Sequence, residues 1–170
     1  MLLSSSGSTG EPTQVLLSDA QLAHVANAVA DSHQLGPADV GIGYCPLPLY
    51  HVNAEVVGLL ATLQARGTLV LDRRFSRSEF WATVDAHEAT WVNAVPAILA
   101  LLAEDGTTTK DPAQIRFVRS ASAPLPVLVL RRFEEVHHIP VLESSDAPMF
   151  VKRRRVGCLG RQQLISMLVG

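Results

Sequence analysis

Apolar and polar positions alternate in blocks along the chain, and each block has the length of one secondary-structure element. From Ser18 to Ser32, SDAQLAHVANAVADS places Leu22, Val25, Ala26 and Val29 at helical spacing, with Ser18 or Asp19 as the cap. Gly36 and Pro37 close that region. DVGIGYCPLPLYH is an apolar run broken by Pro46 and Pro48, which predicts a strand leading into a loop that ends at His51. AEVVGLLATLQARG predicts a helix with a small-residue face stopped by Gly67, and TLVLD a compact buried strand. SRSEFWATVDAHEA predicts a helix holding Phe80, Trp81 and Val84, capped by Ser76 or Ser78. TWVNAV reads as a strand, and PAILALLAEDG as a helix with Pro96 in its first turn. QIRFVRSAS predicts a strand and APLP a turn. PVLVLRRFEEVH predicts a helix, and IPVLE a last short strand.

Strand and helix therefore alternate from Val40 to Glu143. That order predicts an α/β sandwich whose parallel strands are joined by crossover helices. Ligands of such open sheets sit at the carboxyl ends of the strands. The His51 loop, the turn from Ser120 to Pro124 and the hydroxyl-rich loop near the start all follow apolar segments, and are expected to converge on that edge.

Composition narrows the class. The chain has 170 residues, of which 48% are hydrophobic and 18% charged, enough for a real core and against disorder. Its net charge of -2 excludes a basic nucleic-acid binder. All sixteen acidic residues lie at or before Asp146, whereas Lys152, Arg153, Arg154, Arg155 and Arg161 follow it, so the tail differs from the body. Cys45 and Cys158 form no CxxC pair and no disulfide scaffold, which points to a reducing, cytoplasmic setting. No signal peptide is apparent, and no stretch has the length of a transmembrane segment.

Candidate chemistry is concentrated in SSSGSTGEPTQV, Ser4 to Val15. A Gly-rich turn can aim backbone N–H groups at phosphate oxygens, and Ser6, Ser8 and Thr9 add hydroxyls around Gly7 and Gly10. The stretch is too polar for a core strand and lacks the lysine of a Walker A loop. A flexible end remains the alternative. His137 and His138 read as a solvated helix end, Glu134 and Glu135 as surface charge, and Asp85, His87 and Glu88 as a surface helix. Ser120 and Ser122 have no nucleophile elbow around them. His51 stands out because it ends a strand-like run.

Several segments in order carry more than any one. SSGSTGEPTQVLLSDAQL, PLPLYHVNAE, ATWVNAVPAILALLAEDG, IRFVRSASAPLP and FEEVHHIPVLES together resemble, in sequence order, the landmarks of adenylate-forming (AMP-binding) enzymes of the acyl-CoA synthetase type. The resemblance implies an α/β partial parallel-sheet sandwich from the large domain of such an enzyme. It implies a partial AMP-binding domain over 1–146 and a divergent basic tail over 147–170. It also implies a chemistry, in which ATP and a carboxylate give an acyl-adenylate, and coenzyme A then forms the thioester, with Mg2+ assisting. Carried over by position, Ser6, Gly7, Ser8, Thr9 and Gly10 cradle phosphates. Tyr50, His51, Trp91, Asn93 and Pro96 line the acyl and adenylate pocket, and Ser122, Ala123 and Pro124 form the adenine-side turn.

The chain also departs from that pattern. Thr13 and Gln14 replace the family's Lys-Gly, and Ala121 replaces the glycine of Ser-Gly-Ala-Ala, where positive φ would be strained. Ser145, Asp146, Ala147, Pro148 and Met149 stand where Tyr-Gly-x-Thr-Glu is expected. No catalytic residue and no metal ligand is therefore assigned. The expectation is an incomplete, inactive piece of an acid–CoA ligase that meets at most a nucleotide and a carboxylic acid. The alternatives are a non-catalytic nucleotide- or partner-binding chain and a nonfunctional remnant. The tail reads either as a genuine ending or as the product of a damaged reading frame.

Overall fold

In a computed structural model, residues 2–5, 13–35, 41–104, 106–144 and 151–152 of the chain are described. The main sheet contains β3 (Ile42–Cys45), β4 (Thr68–Leu71), β5 (Trp91–Ala94), β6 (Phe117–Ser120), β7 (Val141–Ser144) and β8 (Val151–Lys152), in the order β4-β3-β5-β6-β7-β8. The first five strands in that order are parallel, and β8 runs antiparallel to β7. β1 (Leu2–Ser5) and β2 (Thr13–Leu16) pair antiparallel as a separate ribbon. The reading of Ser4 to Val15 as a loop throughout is thus corrected at both ends, because pairing with each other supplies the backbone hydrogen bonds that polar side chains do not forbid. The residues between, Ser6 to Gly10 included, lie outside the described residues.

Helices cover both faces, as a parallel sheet requires. Helix α1 (Asp19–Ser32) begins with a capping box. Ser18 Oγ accepts from Gln21 N–H, and Gln21 Oε1 accepts from Ser18 N–H at 2.9 Å. Between β3 and β4 the chain forms one helical segment, π-helical over Asn53–Leu60 and α-helical as α2 over Ala61–Gln64. These elements pack Val29, Ala30, Val57 and Ala61 against Trp91, Phe117 and Leu142 on one face. The other face carries α3 (Phe80–Ala86), α4 (Pro96–Ala103) and α5 (Val127–His137). There Phe80, Val84, Leu99, Leu102, Leu130 and Phe133 meet Val92, Val118 and Val141. The two-residue period of a strand sends Trp91 and Val92, or Phe117 and Val118, to opposite layers.

Close approach of Trp91 to β3 depends on Gly43. A Cβ built there would sit 2.6 Å from the indole carbons. Gly43→Ala is expected to cost about 1–3 kcal/mol by overpacking. A urea midpoint lowered at unchanged slope is the measurement.

Three local expectations are corrected. TLVLD is not a fully buried strand, because β4 is the edge of the sheet and Thr68 and Leu71 are exposed. Neither Ser76 nor Ser78 caps α3, whose N-cap is Glu79 without a side-chain bond. His137 is no solvated end. It is fully buried, donates Nε2–H to the Leu102 carbonyl at 3.0 Å and stacks near Trp81 and Phe133. His138, in the left-handed C-cap, is exposed instead. Glu134 is also more than surface charge, since its Oε1 accepts the Val141 N–H at 3.0 Å and steers the chain into β7.

Candidate functional site

The order of the strands defines the crevice. From β3 the chain moves to β4 on one side and then returns past β3 to β5 on the other, so the direction of winding reverses between β3 and β5. A crevice opens outside the carboxyl ends of strands at such a reversal. The loop after Cys45 carries Tyr50 and His51 to that edge, and the turn after Ser120 carries Ser122, Ala123 and Pro124.

Tyr50 is 78% exposed, and its ring lies 4.5 Å from that of His51. Ser122, Ala123 and Pro124 are exposed as well. The two loops are tied together by Asn53, whose Nδ2 donates to Ser122 Oγ at 3.1 Å. Pro96 occupies the first turn of α4, directly beyond the carboxyl end of β5. Trp91 lies elsewhere. It begins β5 at the amino end, fully buried under α1 and 5.9 Å from the Phe117 ring. Positive φ does not fall on Ala121. It falls on Ser122, at 73°. The strain expected at Ala121 is therefore carried one residue later, where the serine hydroxyl gains the Asn53 bond.

Beneath these loops lies a polar cluster that the sequence reading leaves out, apart from Asn93. Arg119 follows Phe117 by two residues on the same face of β6, and Asn93 stands beside it on β5. Arg119 is 6% exposed. Its Nη1 donates to Asn93 Oδ1 at 3.0 Å and to Asn53 Oδ1 at 2.5 Å, and its Nη2 donates to Ser144 Oγ at 2.7 Å. Asn93 Nδ2 donates to the Asn53 carbonyl at 3.2 Å. Gly58 brings the π-helical segment close, since a Cβ there would lie 3.2 Å from Cys45 Sγ and 3.4 Å from Asn93 Nδ2. Burial pulls the Arg119 guanidinium down to about 10, so it is still protonated at neutral pH. Burial likewise pushes the Cys45 thiol up and keeps it neutral. One signal for Arg119 was present in the sequence, a cation at an inward position of the central strand between Val118 and Ser120.

Among the described residues no group of three or more His, Cys, Asp and Glu side chains is placed to hold a metal ion.

The family model for AMP-binding enzymes matches residues 1–144 of the chain. The chain belongs to the AMP-binding enzyme family. Its relatives include the sulfoacetate–CoA ligase of Cupriavidus necator, 41% identical over 95% of this chain and 33% of that ligase. The oxalate–CoA ligase of Arabidopsis thaliana is 34% identical over 85% of this chain and 28% of that enzyme. Among solved structures, a malonyl-CoA ligase with methylmalonyl-CoA and AMP bound superposes with a TM-score of 0.76 at 27% identity. That match covers 89% of this chain and 33% of the other. The chain thus spans about a third of the length of these proteins. Its fold is that of the N-terminal domain of adenylate-forming enzymes, and its likeness is to CoA ligases.

Proposed function

We propose that this chain supplies the acid-side and adenine-side wall of an acyl-adenylate site. The reaction is that of an acid–CoA ligase. A carboxylate oxygen attacks the α-phosphorus of ATP, the bond to pyrophosphate breaks, and coenzyme A thiolate then takes the acyl group from AMP. The observation that carries this reading is the meeting of the His51 and Ser122 loops at the point of reversed winding, joined through Asn53. Tyr50, His51, Asn93 and Pro96 serve the acid side, and Ser122, Ala123 and Pro124 the adenine side. Ser6 to Gly10 hold the phosphates.

The relatives support a short acid as substrate, because the three named above are ligases of sulfoacetate, oxalate and malonate type. Among the described residues no helix is long and apolar enough to cross a membrane, and the proposed setting is the cytoplasm. The chain is proposed to comprise a partial AMP-binding domain over 1–146 and a distinct basic tail over 147–170. Alone, the chain is proposed to bind without turnover.

The test is a titration of the isotope-labelled chain with AMP. Amide shifts confined to residues 50–53 and 120–125 are expected. Shifts confined to the outer faces of α1 and α5, or none at AMP concentrations well above the millimolar range, would sink the reading.

A further inference from the structure

Arg119 is a buried cation surrounded by neutral partners. Asn53, Asn93 and Ser144 offer it three oxygen atoms, and none of the three carries a charge. Among the described residues no carboxylate pairs with it. Taking a charge out of water costs several kcal/mol, and neutral dipoles return only part of it. A protein that needed only a strut between β5, β6 and β7 would meet that need with an uncharged side chain.

The geometry also says which edge of the guanidinium is free. Both N–H groups of Nη1 are engaged, by Asn53 and Asn93. Nη2 has one bond, to Ser144, and Nε is buried with no partner. The Nε–Nη2 side is the two-pronged face that matches a carboxylate or a sulfonate. Asn53 and Asn93 hold the plane of the group from the opposite side. Arg119 lies one residue before the carboxyl end of β6, and Asn53 links it to Ser122 in the exposed turn.

We propose that Arg119 receives the distal anionic group of a short acid that carries two, and so makes the site prefer dianionic acids to monoanionic ones of similar size. The proposal rests on the acid-activating reading above. One carboxylate is presented for adenylation, and the second carboxylate or sulfonate completes the solvation of Arg119. The same pairing excludes a plain fatty acid, whose tail would leave the buried charge unanswered.

The experiment uses the 170-residue chain with the Arg119 Nε–H resonance as its reporter. Sulfoacetate, malonate and propionate are titrated at one ionic strength, with AMP titrated separately. The dianions are expected to shift the Nε–H signal and to bind about tenfold or more tightly than propionate, the gain of one charge-assisted pair. Arg119→Gln is expected to bring the acids within about twofold of one another while leaving the AMP shifts in place, and Arg119→Lys to keep part of the preference. An Nε–H signal indifferent to dianions, or a preference that survives in Arg119→Gln, overturns the proposal. Should Arg119→Gln fail to fold, the wild-type resonance and Arg119→Lys decide. AMP binding without dianion preference removes the role of Arg119 and leaves the nucleotide reading standing. Dianion preference without AMP binding does the reverse.

Discussion

Replacing Asn93 with leucine is expected to destabilise the fold by about 3 kcal/mol, because it strips a buried cation of one of its few acceptors. Asn93 is fully buried, so no water replaces the lost Oδ1. Its Nδ2 also holds the Asn53 carbonyl, so the same change loosens the π-helical segment. Leucine is the bulkier residue, so no cavity contributes, and any overpacking it causes persists when the cation is gone. The effect is specific to the charge. In an Arg119→Met background the cost of Asn93→Leu is expected to shrink by about half or more, since the unmet group is gone. Urea unfolding of the two single variants and the double variant measures this. Equal costs in both backgrounds would show that Asn93 acts through packing alone.

No pyrophosphate exchange into ATP is expected from the 170-residue chain alone. The reacting state gathers negative charge as pyrophosphate leaves, and fixed donors or cations must meet it. Thr13 stands in strand β2 at the position of the family lysine, and a neutral hydroxyl returns no charge there. Ser145 to Met149 lack the aromatic, threonine and glutamate of the matching motif. Each lost preorganised contact costs ~3 kcal/mol, or about a hundredfold in rate, although such losses do not simply add. Binding of the ground state suffers less, because catalysis draws on the difference between the two states. Labelled pyrophosphate, ATP, Mg2+ and a panel of mono- and dicarboxylic acids measure the outcome. Exchange that tracks with the purified chain and disappears in Ser8→Ala/Thr9→Ala would overturn it.

The elements that could be read from the sequence are those whose period is unambiguous. Helix α1 is capped by Ser18 as its signal requires, and Pro96 opens α4. β5 and β6 emerge where β-branched and aromatic residues cluster between breakers. What failed depended on neighbours. Nothing local in TLVLD tells that β4 ends the sheet, because position in a sheet is set by crossovers elsewhere. Nothing in HH tells that the first histidine turns inward, since that follows from the phase of α5 against α4. The site shows the same division. Of the proposed site residues, His51 is marked in the sequence by ending a strand-like run, whereas Tyr50 and Ser122 are reached only through the family resemblance. Asn53 escaped because it lies on a helical segment, where a single polar residue reads as solvated. Arg119 escaped because charge at one position of a strand says little until a helix is known to cover that face.

Between Asn53 and Leu60 the hydrogen bonds span one residue more than in an α-helix, as in the bond from Ala61 N–H to the Val56 carbonyl. That extra residue makes the segment sensitive to length more than to composition. Removing one residue after Asn53 would let the ladder relax into α geometry, and would turn Asn53 about 100° relative to the helix that follows. Its oxygen would leave Arg119 and its amide would leave Ser122, although no residue of the cluster had been substituted. The spacing of this helix thus acts as a gauge that keeps the two loops in step, and descendants of this chain are expected to vary its letters more freely than their number.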